Sequence, residues 1–242
     1  MDGEPKDLES LLGSLLQPDK RQIRKAVDAL IALAPQQPDL ANRLEALLAA
    51  AAEENRWPIA YILGTLSHPS SLCLEALLAA LDSNDPDIRW AITLLLGRLG
   101  KSNPLLVERL LDLGHNGTPQ QRRMVIYCLR ETDPSAAVFW RAVQGAVQDA
   151  EPLVRVAAVT SIKLCPVPER ESVDLLIGVL QRDPDSRVQC AAAIALAHLR
   201  DPTDAIRAAL DEALHNGNLQ LQKACRVALE SMRKKEPVPP TR

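Results

Sequence analysis

Apolar residues along the chain recur at spacings of three and four, interrupted at regular intervals by Pro, Gly and Asp. The segments DPDIRWAITLLLGRL, EPLVRVAAVTSIKL and DPDSRVQCAAAIAL align, each with Pro three residues before an Arg and an aliphatic residue seven after it. TPQQRRMVIYCL fits the same frame. Taking that Arg as reference gives Arg24, Arg56, Arg89, Arg122, Arg155, Arg187 and Gln220, 32 or 33 residues apart. Seven after it stand Ile31, Leu63, Leu96, Leu129, Ile162, Ile194 and Val227; three after it stand Val27, Ile59, Ile92, Val125, Ala158 and Cys190, with Lys223 breaking the column. Such spacing predicts one apolar helical face per unit. Pro86, Pro119, Pro152 and Pro184 suit a first helical turn, and Asp85, Thr118 and Asp183 before three of them suit N-caps. A preceding helix is legible in DLESLLGSLL, LANRLEALLAA, CLEALLAAL, PLLVERLLDL, VDLLIGVL and AIRAALDEAL, with Gly114, Gly117 and Gly217 at the ends of two of these helices. Alternating β-branched runs are absent, so the reading is all-α.

A helix-pair period near 33 also suits ankyrin and tetratricopeptide arrays, but neither the TPLH signature nor the W-LG-Y pattern is present. DPDxR followed by small and aliphatic residues resembles the HEAT-repeat family, and the short units are similar to the HEAT-like repeats of phycobilin lyases. The resemblance covers residues 6–233 and implies a right-handed α-solenoid of about seven two-helix repeats. Residues 1–5 are then a disordered N-terminus and 234–242, with three prolines, a flexible tail. The resemblance also implies a ladder at the turns, in which Arg56, Arg89, Arg122, Arg155 and Arg187 bond acids such as Asp85, Asp149 and Asp183 of neighbouring units.

Composition sharpens this picture. Of 242 residues 47% are hydrophobic and only 2% aromatic, so the interior must be aliphatic. Lys+Arg 28 against Asp+Glu 31 gives a net charge of -3, which weighs against a globally basic nucleic-acid binder. The charge is segregated, however. First-helix segments 6–16, 38–52, 69–81, 104–114, 134–149, 167–181 and 201–215 carry six Lys/Arg and 15 Asp/Glu. Second-helix segments 19–33, 55–67, 86–100, 119–131, 152–165, 184–199 and 218–233 carry 16 Lys/Arg and six Asp/Glu. Since second helices line the concave face of HEAT solenoids, the resemblance implies a basic inner face. Five Cys without a CxxC pair fit a reducing compartment, and the acidic, polar start resembles no targeting signal, so the expected location is cytoplasmic. No apolar run approaches the roughly 18 residues of a membrane span.

Convergent chemistry is scarce. His68, His115, His198 and His215 fall near helix ends, and none is followed by Glu, as the metal-dependent HEAT-like hydroxylases would require. Cys128, Cys165 and Cys190 suit small buried thiols, with Cys225 the one expected at the surface. No phosphate loop, GxSxG or zinc pattern occurs, so no catalytic residue, metal or cofactor is assigned. The aromatics are uneven: Trp57, Tyr61, Trp90 and Tyr127 fall on second helices one or five residues after the reference position. With Leu94, Arg98, Arg123 and Arg130 they predict a patch rich in hot-spot residue types, whereas Val156, Thr160, Val188 and Ala192 hold those positions later on. Phe139 and Trp140 are read as core and its margin.

The function expected from this is a non-enzymatic scaffold binding an acidic or extended protein segment on that patch. Two alternatives follow from resemblance. One is a bilin lyase or bilin-handling chaperone, since a tetrapyrrole offers flat rings to Trp and Tyr and propionates to Arg. The other is a HEAT-like alkylpurine DNA glycosylase, for which the overall acidity is unsuited and Glu131 is the one evident groove acid.

Overall fold

The computed structural model describes residues 7–66, 69–132, 136–164, 169–199 and 204–235. The expected disordered N-terminus, the last seven residues of the expected tail, His68 and Cys165 lie outside them. Fourteen α-helices form seven consecutive pairs, and no strand occurs among the described residues. First helices are α1 (Leu8–Ser14), α3 (Leu40–Ala50), α5 (Ser71–Ala80), α7 (Pro104–Asn116), α9 (Ala136–Ala146), α11 (Glu169–Arg182) and α13 (Asp204–Asn216). Second helices are α2 (Lys20–Leu33), α4 (Arg56–Thr65), α6 (Pro86–Gly100), α8 (Pro119–Thr132), α10 (Pro152–Ser161), α12 (Ser186–Ala197) and α14 (Leu219–Lys235).

The chain divides into two compact units, residues 1–110 and 111–242. In the first, α2, α4 and α6 pack in succession, and α3 and α5 pack beside them. In the second, α8, α10, α12 and α14 pack in succession, with α9, α11 and α13 against them. This is the α-solenoid arrangement: within each unit, a pair buries its apolar stripes against the next. The cores are aliphatic, built in the first unit on residues such as Leu44, Ile59, Leu77 and Ile92, and in the second on Val143, Leu176, Leu196 and Leu210. Each such side chain contributes about 1.5–3 kcal/mol by leaving water. Phe139 and Trp140 are buried with them.

The turn before each second helix sets the register of the repeat. Asp85 accepts from the backbone N–H groups of Asp87 and Ile88, and Thr118 and Gln121 bond each other's backbone N–H as a capping box. Four residues after each N-cap, one residue gives its own N–H to the cap carbonyl: Ile23 to Asp19, Arg89 to Asp85, Arg122 to Thr118, Arg155 to Glu151, Gln189 to Asp185 and Gln222 to Asn218. With Arg56, these seven are 33 residues apart except for 34 between Arg155 and Gln189.

The repeat reference is therefore Ile23, Gln189 and Gln222, where the sequence frame places Arg24, Arg187 and Gln220. In the corrected frame, position +3 is buried in all seven pairs: Ala26, Ile59, Ile92, Val125, Ala158, Ala192 and Cys225. The slip explains three departures from expectation. Ile194 and Val227, expected in the core, are 46% and 61% exposed. Cys225, expected at the surface, is buried, while Cys190 is only partly covered. Asp183 does not cap α12, which begins two residues later on Asp185.

Two glycines are required where expected. A Cβ on Gly117 would lie 2.6 Å from the Leu113 carbonyl oxygen, and one on Gly217 would lie 2.5 Å from that of Ala213. Gly114 instead lies inside α7, where a Cβ would meet Val125 Cγ1 at 3.2 Å.

Candidate functional site

The arginines at the turns act first on the turn itself. Arg56 donates to the Ala51 carbonyl at 3.1 Å, Arg89 to Ser83 at 2.6 Å, Arg122 to Gly117 at 3.0 Å and Arg155 to Asp149 at 2.8 Å. Gln222 makes the same bond to Gly217 at 2.9 Å. Among the described residues, Arg122 and Arg155 also reach into the next pair. Arg122 grips Asp149 side-on at 2.7 and 2.8 Å, and Arg155 grips Asp183 at 2.8 and 2.8 Å. The Arg122 guanidinium holds the Asp149 carboxyl below its ordinary value, and Asp183 in turn raises the Arg155 guanidinium.

The ladder has a different form at Asp85 and Arg187. Asp85 pairs with Lys20 of α2, whose ammonium lowers its carboxyl, and Arg187 pairs with Asp185 of its own turn. The reason is position. Asp149 and Asp183 stand six residues before a reference residue, a place taken by Ser83 and Asn116 in earlier turns and by Asn216 in the last.

The eight patch residues are distributed over three settings. Tyr61, Trp90, Leu94 and Arg98 border one hollow of about 630 Å³ in the first unit, together with Arg24, Asp87 and Thr65. Trp90 and Leu94 are each 43% exposed and one helical turn apart, so they present a continuous apolar strip. Asp87 accepts from Lys20 at 3.0 Å and lies 3.8 Å from Arg24, which offsets both cations. Arg98 is exposed at the far end of the strip.

Trp57 borders a different hollow, among Glu53, Glu54, Glu75 and Asp82. Its helix begins only at Arg56, after the 3₁₀ turn Glu53–Asn55, so its side chain leans back over that turn. In the second unit Arg123, Tyr127 and Arg130 are half-buried. The Arg130 guanidinium lies 5.0 Å from the centre of the Tyr127 ring and donates to Glu131 at 3.0 and 3.1 Å. Glu131 is thus engaged by Arg130. The sequence frame does not place Arg24, Thr65 and Asp87 in the site; the turn spacing counted from the N-cap Asp19 puts Arg24 one residue after the reference, the position Trp90 holds on α6.

Elsewhere, the thiols of Cys73 and Cys225 are pushed by burial up to about 12 and about 11. His115 and His215 stand in the last turns of α7 and α13. No cluster of three or more His, Cys, Asp or Glu suited to a metal occurs among the described residues, and no described helix is long and apolar enough to cross a membrane.

These features define an all-α repeat protein of stacked helix pairs. The HEAT-repeat family matches over residues 40–130 and 141–230, so the chain belongs to the HEAT-repeat family. No curated protein matches the chain significantly. Solved structures similar to it include a designed armadillo repeat protein in complex with the peptide (KR)4, 14% identical with a TM-score of 0.42 over 94% of this chain and 100% of the other. Human deoxyhypusine hydroxylase in complex with glycerol is 15% identical with a TM-score of 0.39 over 94% and 96%. The complex of CpcE and CpcF of phycocyanin lyase from Nostoc sp. PCC7120 is 18% identical with a TM-score of 0.38 over 97% and 96%.

Proposed function

We propose that this protein is a non-enzymatic interaction scaffold that holds an extended, acidic segment of a partner protein against its second-helix face. The observation that carries this is the apolar strip of Trp90 and Leu94, both 43% exposed, over a hollow bordered by Tyr61 and Arg98. A large aromatic with a neighbouring Tyr and Arg is the composition of a binding hot spot. Trp90, Leu94 and Tyr61 supply contact area, and Arg98 supplies orientation and on-rate toward a carboxylate. In the second unit Arg123, Tyr127 and Arg130 are contacts of the same chemical kind. Trp57 is left out of the assignment because it faces carboxylates.

The test is a fluorescence-anisotropy titration with a labelled peptide of alternating Glu and Leu. The variant Trp90→Ala/Leu94→Ala shortens two side chains that are each 43% exposed, and circular dichroism checks that its helix content stays that of the wild type. Losing two anchors weakens binding by at least roughly tenfold. Equal binding by the folded variant refutes the assignment.

A further inference from the structure

Correcting the repeat register changes what stands on the second-helix face of the second unit. Positions one and five after the reference residue are Cys190 and Ile194 on α12, and Lys223 and Val227 on α14. Thr160, Lys163, Cys190, Ile194, His198 and Lys223 border one hollow of about 520 Å³ between α10, α12 and α14. Its floor is aliphatic and open, with Ile194 46% exposed. No Asp or Glu borders it. Arg187 does, but Asp185 grips its guanidinium at 3.0 and 2.7 Å and so offsets its charge. Lys163 and Lys223 are exposed, and no ion pair among the described residues engages either ammonium. An uncompensated cation therefore stands on each side of an exposed isoleucine, Lys163 in the 3₁₀ turn Ile162–Leu164 that follows α10 and Lys223 on α14, the two helices packed against α12.

We propose that this hollow is a second peptide site, which takes an extended segment with one aliphatic side chain between two carboxylates. The spacing follows from helix packing. Neighbouring helix axes lie about 8–10 Å apart, so α10 and α14 are separated by about 16–20 Å. An extended chain in the polyproline II conformation advances about 3.1 Å per residue with three residues per turn, so acids about six residues apart span the gap and the aliphatic residue midway falls on the same side as both. The aliphatic side chain covers Ile194 and the Cys190 thiol, and the acids meet Lys163 and Lys223. This site is independent of the Trp90 hollow, and its success or failure is read separately.

The probe is the peptide ESSLSSE, with ESSGSSE and KSSLSSK as controls, titrated against the full chain. Alkylation of Cys190, located by mass spectrometry, reports occupancy of the hollow. ESSLSSE binds and slows that alkylation, and both controls bind at least roughly tenfold more weakly. Lys163→Glu/Lys223→Glu loses at least tenfold in affinity, and Ile194→Ser, a change at an exposed position, supplies the same loss should the charge reversal unfold the protein. Affinities are read from the protection of Cys190, which borders this hollow, so a peptide that settles on the Trp90 strip does not enter them. The proposal is overturned if ESSLSSE leaves Cys190 as reactive as before, if KSSLSSK binds equally well, or if the folded variants at 163, 223 and 194 match the wild type.

Discussion

The Arg155–Asp183 pair is the place where removing a few atoms should cost most. Their side chains are only 9% and 6% exposed, and the contact is side-on through two hydrogen bonds of 2.8 Å. Arg155 also ties down the carbonyls of Asp149 and Ala150 at 2.8 and 3.1 Å. Asp183→Ala strips the counter-charge while those carbonyls keep the guanidinium in place and out of water. Breaking a buried pair on one side costs about 3–5 kcal/mol, and the partial solvent access here argues for about 3 kcal/mol. At roughly 2–4 °C per kcal/mol for a chain of this size, the melting temperature falls by about 6–12 °C. The control is Asp174→Ala: its carboxylate lies 4.0 Å from Arg170, with the two side chains 71% and 92% exposed. Such a pair is worth less than about 0.5 kcal/mol. The assay is calorimetry with urea unfolding, extended to a double-mutant cycle with Arg155→Met. A coupling of about 2 kcal/mol is expected. A coupling below about 0.5 kcal/mol, or an Asp183→Ala no worse than Asp174→Ala, would refute the reasoning.

Acid should find the same turns. The carboxyl of Asp149 is held low chiefly by Arg122, and that of Asp185 is held at about 2 chiefly by Arg187. Because both values lie below those of the unfolded chain, their stabilisation is complete above about pH 4 and is lost as pH falls toward 2. Asp149→Asn is accordingly less stable at pH 7 and flatter between pH 4 and 2 in acid unfolding followed by circular dichroism. Gly217→Ala, whose Cβ would sit 2.5 Å from a carbonyl oxygen and 2.8 Å from Leu221 Cδ2, costs about 1–3 kcal/mol. Gly145→Ala, with nothing within 4 Å, gains about 0.5–1 kcal/mol. At pH 8, iodoacetamide modifies Cys190 before Cys73 and Cys225, which burial keeps protonated; mass spectrometry of the modified sites decides it.

The helix pairs were legible because burying one stripe per helix forces a spacing of three and four that survives wide variation in residue type. The direction of individual surface side chains was not. Trp57 and Tyr61 are one turn apart on α4, yet they border different hollows: Trp57 lies beside Glu53 and Glu54 of the 3₁₀ turn before α4, and Tyr61 beside Trp90 and Leu94 of α6. Likewise Arg130 turns to Glu131 and Tyr127, an arrangement that depends on side-chain torsions rather than on spacing. Asp85 bonds Lys20 of another pair, a contact between residues far apart in the chain that no local pattern announces.

The shift of register at α12 and α14 has a chemical cause. Arg marks the repeat in the sequence frame, but what recurs is less specific: at Arg56, Arg89, Arg122, Arg155 and Gln222 a side-chain N–H reaches a carbonyl five or six residues back. Arg122 reaches Gly117 in this way and Gln222 reaches Gly217, although Gln carries no charge. The two HNG triplets at 115–117 and 215–217 already aligned Gln222 with Arg122. Arg187 stands two residues too early to do this work, so its guanidinium turns to Asp185 instead. Only in the corrected frame do Cys190, Ile194 and Lys223 occupy the positions held by Trp90, Leu94 and Arg123 earlier in the chain. A small shift in register thus separates a second half whose face is small and bland from one whose face carries an open isoleucine between two lysines.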